Sequence, residues 1–199
     1  GVRWVPRDLQ VYRDKVTGVE RIFLLLGNPG IISGVYDPGE VSRIRWDRHV
    51  EFPFLTKGTF FTRPLGIAQA NHALHFSEGP SIFRRIDGER PKYEEILNLA
   101  EDTDTDVGGI RGLTAIKNPN GNGQSLLFVW APGERSQSQV KRLDPDGKGG
   151  YTLHNEANLG QLMSLKLEVK VPYTLGGHNM MYPVTHPVTG KLVHVIGFY

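Results

Sequence analysis

Histidines, carboxylates and aromatics are the residues of this chain that could do chemistry, and their spacing decides which chemistry. Seven histidines are present, His49, His72, His75, His154, His178, His186 and His194, and the last three lie eight residues apart. A strand-rich chain can gather residues from successive strands on one face, and neutral imidazoles suit zinc, copper or iron. His178, His186 and His194 are therefore a candidate transition-metal set. A metal there would support a lyase, hydrolase or oxidase. His186 and His194 flank a hairpin. A two-residue loop would put them on opposite faces and a three-residue loop would pair them directly, and spacing leaves both open. Histidines held by hydrogen bonds or left in solvent are the commoner outcome.

Asp102, Asp104 and Asp106 alternate with Thr103 and Thr105. Hard oxygen ligands one residue apart can wrap calcium. Val107 stands where an EF-hand loop needs glycine, and Leu113 where it needs the closing glutamate, so the run is not that motif. A solvated acidic loop is the plainer reading. The stretch Asp144-Pro145-Asp146-Gly147-Lys148-Gly149-Gly150 is turn chemistry, since it lacks the spacing of a phosphate loop. No cysteine and no Gly-x-Ser-x-Gly elbow occur, which removes thiol chemistry and one serine-nucleophile arrangement. Glu94 and Glu95 are adjacent on an expected strand, point to opposite faces and cannot act as an acid–base pair by themselves. Trp46, Trp130 and Tyr182 offer an apolar face with a polar edge, the surface on which sugars and small ligands stack. Core packing is the competing role for the two tryptophans.

The elements that must position these residues are short. The 199 residues suffice for one domain. With 39% hydrophobic and 22% charged residues the composition is that of a globular protein. A net charge of +2, from 23 basic and 21 acidic residues, is too balanced to imply a nucleic-acid partner. The clusters Arg43, Arg45, Arg48 and Arg84, Arg85 read as solvated strand faces. No run of 18 apolar residues is present, so no helical membrane span is expected.

Strand signals dominate, punctuated by 24 glycines and 13 prolines. A first meander reads Leu9–Tyr12, Arg21–Leu26, Ile31–Tyr36 and Val41–Trp46. A second reads Pro64–Ala68, Ala73–Ser77, Ser81–Ile86 and Tyr93–Leu99. A third reads Gly112–Ile116, Ser125–Trp130, Gln139–Leu143 and Tyr151–His154, and a fourth begins with Met180–Thr185 and Leu192–Phe198. Arg63-Pro64-Leu65 matches Arg111-Gly112-Leu113 at an offset of 48, Leu74-His75-Phe76 matches Leu126-Leu127-Phe128 at 52, and Arg85-Ile86-Asp87 matches Arg142-Leu143-Asp144 at 57. A drifting period of about 50 residues with four strands per unit is the signature of β-propeller blades. The expected fold is all-β: one propeller domain, or a fragment of one, with about 3.5 four-stranded antiparallel blades near 1–54, 59–99, 107–155 and, incomplete, 173–199. A short helical insertion is expected over 156–172, where Leu159, Leu162, Met163 and Leu165 give a helical stripe ended by Pro172. The missing strands would come from a longer chain or a partner chain.

The strings Gly30-Ile31-Ile32-Ser33-Gly34-Val35-Tyr36-Asp37-Pro38, Arg111-Gly112-Leu113-Thr114-Ala115-Ile116 and His186-Pro187-Val188-Thr189-Gly190-Lys191-Leu192-Val193-His194-Val195-Ile196-Gly197 resemble a group of uncharacterised bacterial, exported β-propeller proteins. The resemblance spans nearly the whole chain. It implies a longer parent with further blades, a secreted or periplasmic location, and no particular activity. Tyr182 to Gly190 is also similar to a segment of the carotenoid-cleaving oxygenases, but Tyr182 stands where their iron ligand should be and His186 where an Asp should be. The function expected on these grounds is non-catalytic binding of a glycan, small molecule or protein on one face. A metal-assisted enzyme, using calcium or a transition metal, is the alternative.

Overall fold

A computed structural model of the chain describes residues 6–26, 30–53, 66–102, 109–132, 138–158 and 180–197, with backbone alone at 102, 180–183, 192 and 194–197. Sheet A contains β1 (Pro6–Arg13), β2 (Glu20–Leu26), β3 (Gly30–Tyr36) and β4 (Ile44–Pro53). Sheet B contains β5 (Ile67–Ala70), β6 (Ala73–Glu78), β7 (Ser81–Ile86) and β8 (Lys92–Asn98). Sheet C contains β9 (Gly109–Lys117), β10 (Gln124–Ala131), β11 (Gln139–Pro145) and β12 (Tyr151–Asn158), and sheet D contains β13 (Met180–Thr185) and β14 (Leu192–Gly197). Every neighbouring pair is antiparallel and each sheet is a simple meander in chain order. The fold is all-β; among the described residues the helical content is one 3₁₀ turn, Ala100–Asp102. None of their helices is long and apolar enough to cross a membrane.

The turns follow from local chemistry. Among the described residues, a side-chain acceptor heads several of the hairpins and ties up free N–H groups of the loop. Asp14 Oδ1 accepts from the Val16 and Thr17 amides at 2.9 Å each. Asn118 Oδ1 accepts from Asn120 N at 2.8 Å, and Asp146 Oδ1 from Lys148 N and Gly150 N at 2.8 Å. Asn71 and His72 form the two-residue turn between β5 and β6 with φ of 48° and 59°, a type I′ geometry that matches strand twist. Two sequence expectations change here. Val41 does not open the fourth strand: Asp37 N bonds Arg43 O and Arg43 takes φ 59°, so Asp37–Arg43 is one loop and β4 begins at Ile44. The expected helical insertion loses its first three residues, because β12 runs to Asn158; 159–172 lies outside the described residues.

Sheets A, B and C pack face to face. Phe23, Leu25, Ile31 and Phe52 of sheet A meet Ile67, Leu74, Phe76 and Phe83 of sheet B. Ala68, Ala70 and Ile82, on the other face of sheet B, meet Leu126, Phe128, Trp130 and Leu143 of sheet C. Sheet C carries a second apolar set on its far face, Leu127, Val129 and Val140. The close approaches between sheets all involve a first strand: β1 on β5, β5 on β9, β9 on β13. Gly66, just ahead of β5, shows how tight this is. A Cβ there would sit 2.5 Å from Leu113 N and 2.8 Å from Leu113 Cβ on β9. The hairpin of sheet B is also pinned to sheet C, since Asn71 Nδ2 donates to Gln124 O at 2.6 Å and Gln124 N donates to Asn71 Oδ1 at 2.7 Å.

One landmark of the sequence repeat is displaced by a residue. Leu74 and Leu126 are equivalent, each facing the preceding sheet, but Leu126 lies opposite Leu143 and Leu127 opposite Arg142. Arg142 therefore points away from sheet B, whereas Arg85 points into sheet A. A one-residue slip reverses the face of a strand side chain.

Trp130 is 1% exposed at the centre of the B–C core. Trp130→Ala is expected to cost about 3–5 kcal/mol, measured by urea unfolding, and Trp130→Phe well under half of that. Equal and small losses would contradict this packing.

Candidate functional site

Among the described residues, a dense polar cluster fills the seam between sheets A and B. Arg85 projects from β7 toward sheet A, is 4% exposed, and lies over the Phe23 ring with its Cζ 5.4 Å from the centroid. Its Nη1 donates to Asp14 Oδ2 at 2.8 Å and Asp87 Oδ1 at 2.6 Å, and its Nε to Glu51 Oε1 at 3.0 Å. The Tyr93 hydroxyl donates to Glu51 as well, and the Tyr12 hydroxyl to Asp87. The chain of bonds continues outward: Ser33 Oγ lies 2.5 Å from Asp47 Oδ2 and 3.2 Å from Glu51 Oε2, and Arg21 donates to Asp47.

Backbone irregularity in β4 brings these acids together. Gly34 pairs with Trp46, Ile32 with Val50 and Ile31 with Phe52, so β4 spends four residues where β3 spends two, and then two against one. Such bulges re-aim side chains. In a straight strand residues i and i+4 would be about 13 Å apart. Here one donor atom each of Asp47, His49 and Glu51 lies within 4.8 Å of the others.

The electrostatics are lopsided. Four carboxylates, Asp14, Asp47, Glu51 and Asp87, face two guanidiniums, Arg21 and Arg85. Burial alone would raise the Asp14 pKa, but the Arg85 hydrogen bond and the amides of Thr17, Gly88 and Val16 outweigh it and hold the carboxyl well below the usual range. Asp47 is also held low: burial opposes this, and Ser33, Arg21 and the nearby His49 prevail. Burial and the adjacent acids push the Tyr12 and Tyr93 phenols up, so both remain neutral donors.

Beside this seam runs an open groove lined by Arg21, Val35, Ser42, Arg45, Trp46 and Asp47. Trp46, expected to stack on a ligand, is half-buried in its wall. Trp130 is core, which leaves it no ring face for a ligand. Tyr182 lies on β13 opposite Val195. His178, Asp104 and Asp106 lie outside the described residues, and Asp102 ends the 3₁₀ turn. His194 is paired with Pro183, not with His186. His186 heads the β13–β14 hairpin, where its Nδ1 accepts from the Val188 and Thr189 amides at 3.2 Å each. That is the job Asp14 does before the same Val-Thr-Gly sequence in sheet A, with the same backbone closure: Asp14 N to Val19 O, and His186 N to Lys191 O.

On sheet C, Asp144 Oδ1 accepts from Ser125 Oγ at 2.6 Å and Asp144 Oδ2 lies 3.2 Å from His154 Nε2. The carboxylate stands between the serine and the imidazole. A hydrolytic relay needs the imidazole in the middle. Asp144 is instead bound by Arg142 through two hydrogen bonds, at 2.7 and 3.1 Å. Asp47 and Glu51 carry no signal of their own in the sequence, His49 stands there only as one of seven histidines, and Arg85, expected on a solvated strand face, is buried because its carboxylate partners lie across the seam. The signal was present in the alternation Asp47-x-His49-x-Glu51, which places three ligand-type residues on one strand face, but the strand was expected to stop at Trp46.

No protein-family model matches the chain, and no curated protein or solved structure does.

Two outcomes follow. Arg85→Met leaves three carboxylates buried around an apolar side chain and should cost about 3–5 kcal/mol in urea unfolding at pH 7. A loss below about 1 kcal/mol would mean the seam does not depend on this cation. His75, 2% exposed on the opposite face of sheet B, has its pKa lowered to about 4 by burial and, less, by Arg84. The unfolded chain takes up this proton first, near pH 6.5. The stabilisation is therefore complete above that pH and is lost as pH falls toward 4, on the order of 3 kcal/mol in all. His75→Gln should flatten the stability curve between pH 6.5 and 5; an unchanged slope would refute the assignment.

Proposed function

We propose that the chain is a β-propeller, whole or in part, that binds a carbohydrate on its surface without transforming it. The observation that carries the architecture is the series of close approaches β1–β5, β5–β9 and β9–β13. Backbone approaches that run through successive first strands are what blades set about a common axis would give. The repeated hairpin supports the same reading, since Asp14 and His186 cap equivalent loops in sheets A and D. The resemblance to exported bacterial propellers agrees with it.

The binding reading rests on the groove beside β4. Trp46 supplies an apolar ring there, and Arg21, Arg45, Ser42 and Asp47 supply donors and acceptors around it. A sugar ring presents an apolar face and a rim of hydroxyls, and that pairing suits it. Asp14 and Asp87 of the adjoining seam are engaged by Arg85 and the Tyr12 hydroxyl, the state of structural carboxylates. The enzyme alternative built on His178, His186 and His194 gains nothing from His186, whose Nδ1 is committed to its own hairpin.

A broad glycan array probed with the whole chain should yield a defined set of binders. Trp46→Ala should weaken them by about tenfold or more while leaving the far-UV circular dichroism unchanged. An array without binders, or binding indifferent to Trp46, would sink this reading.

A further inference from the structure

We propose that Asp47, His49 and Glu51 bind a divalent first-row transition-metal ion, zinc being the natural probe, at the outer mouth of the seam between sheets A and B. Three observations converge, none of which depends on the carbohydrate reading. The first is geometric. A four-coordinate ion with donors at about 2.1 Å holds them roughly 3.4 Å apart. The three side chains already bring one donor each within 4.8 Å of one another. His49 is exposed and flanks the two acids, so a modest side-chain swing completes the approach.

The second is charge. Asp14, Asp47, Glu51 and Asp87 outnumber Arg21 and Arg85 in this seam by two, and the side chains of Asp14, Glu51 and Asp87 are 2%, 6% and 7% exposed. Buried charge is ordinarily paired or coordinated to metal. The excess equals the charge of one divalent cation. Arg45 pairs with Asp37 at 3.6 Å, Arg48 is exposed, and Tyr12, Tyr93 and Ser33 contribute neutral donors.

The third is support behind the ligands. Ser33 and Arg21 hold Asp47, and Arg85 and Tyr93 hold Glu51 through Oε1. Metal carboxylates are ordinarily oriented by such outer hydrogen bonds. One imidazole nitrogen with two carboxylates favours zinc-like ions over calcium, which takes six to eight oxygens. The remaining position would be open to water or to a ligand in the neighbouring groove.

The test is isothermal titration of the whole chain, stripped with chelator, with zinc chloride at pH 7.5, together with elemental analysis after desalting. One equivalent of zinc should bind and raise the unfolding temperature. His49→Ala, at an exposed position, and Asp47→Asn should each weaken binding by about tenfold or more. His72→Ala and His154→Ala should bind like the unaltered chain. No stoichiometric zinc, or zinc binding that survives His49→Ala undiminished, would overturn the proposal. Cobalt substitution gives a second readout: its visible absorption should report one nitrogen ligand, and its persistence in His49→Ala would be equally fatal.

Discussion

A sheet that is apolar on both faces stays folded only if both faces are covered, and sheet B shows this constraint in its barest form. Leu74, Phe76 and Phe83 are turned to sheet A, and Ala68, Ala70 and Ile82 to sheet C. Burial of apolar area dominates folding, so neither neighbour is dispensable. Sheet C repeats the demand, with Trp130 and Phe128 on one side and Leu127 and Val129 on the other. Stacking of successive sheets follows from strands that are apolar on both sides.

The seams between sheets hold two kinds of contact. Where first strands approach, contact is close enough that Gly66 has no room for a methyl group. Elsewhere the A–B seam is crossed by long polar side chains: Arg85 from one sheet, Asp14 and Glu51 from the other. These groups are desolvated, so their hydrogen bonds set their protonation. β4 is bulged beside this seam, and the bulge gathers Asp47, His49 and Glu51. A groove with Trp46 opens alongside. The seam network and the two proposed sites thus share one strand, with Ser33 and Arg21 bonded to its Asp47.

His186 illustrates how a residue type misleads. Three histidines at regular spacing suggest a metal, yet the Nδ1 of His186 replaces the carboxylate oxygen that Asp14 uses to cap an equivalent hairpin. The match Val16-Thr17-Gly18 with Val188-Thr189-Gly190 is a truer repeat landmark than Arg85-Ile86-Asp87 with Arg142-Leu143-Asp144. Turn loops have fixed backbone demands. Strand residues one position apart differ in everything that matters to packing.

What the sequence by itself determined is the set of strands, their meander order and the hairpins, because period-two alternation and Gly, Pro, Asn and Asp chemistry act within a few residues. The continuous apolar runs of β2 and β10 also announced that both faces would be buried. Only the tertiary structure decided where β4 bulges, which face Arg85 takes, and that His49 comes to stand with Asp47 and Glu51. Those outcomes are set by the neighbouring sheet: a bulge is stable where the opposing side chains leave space for it, and a buried arginine points to wherever its carboxylates stand. Neither condition is written within reach of the residue it governs.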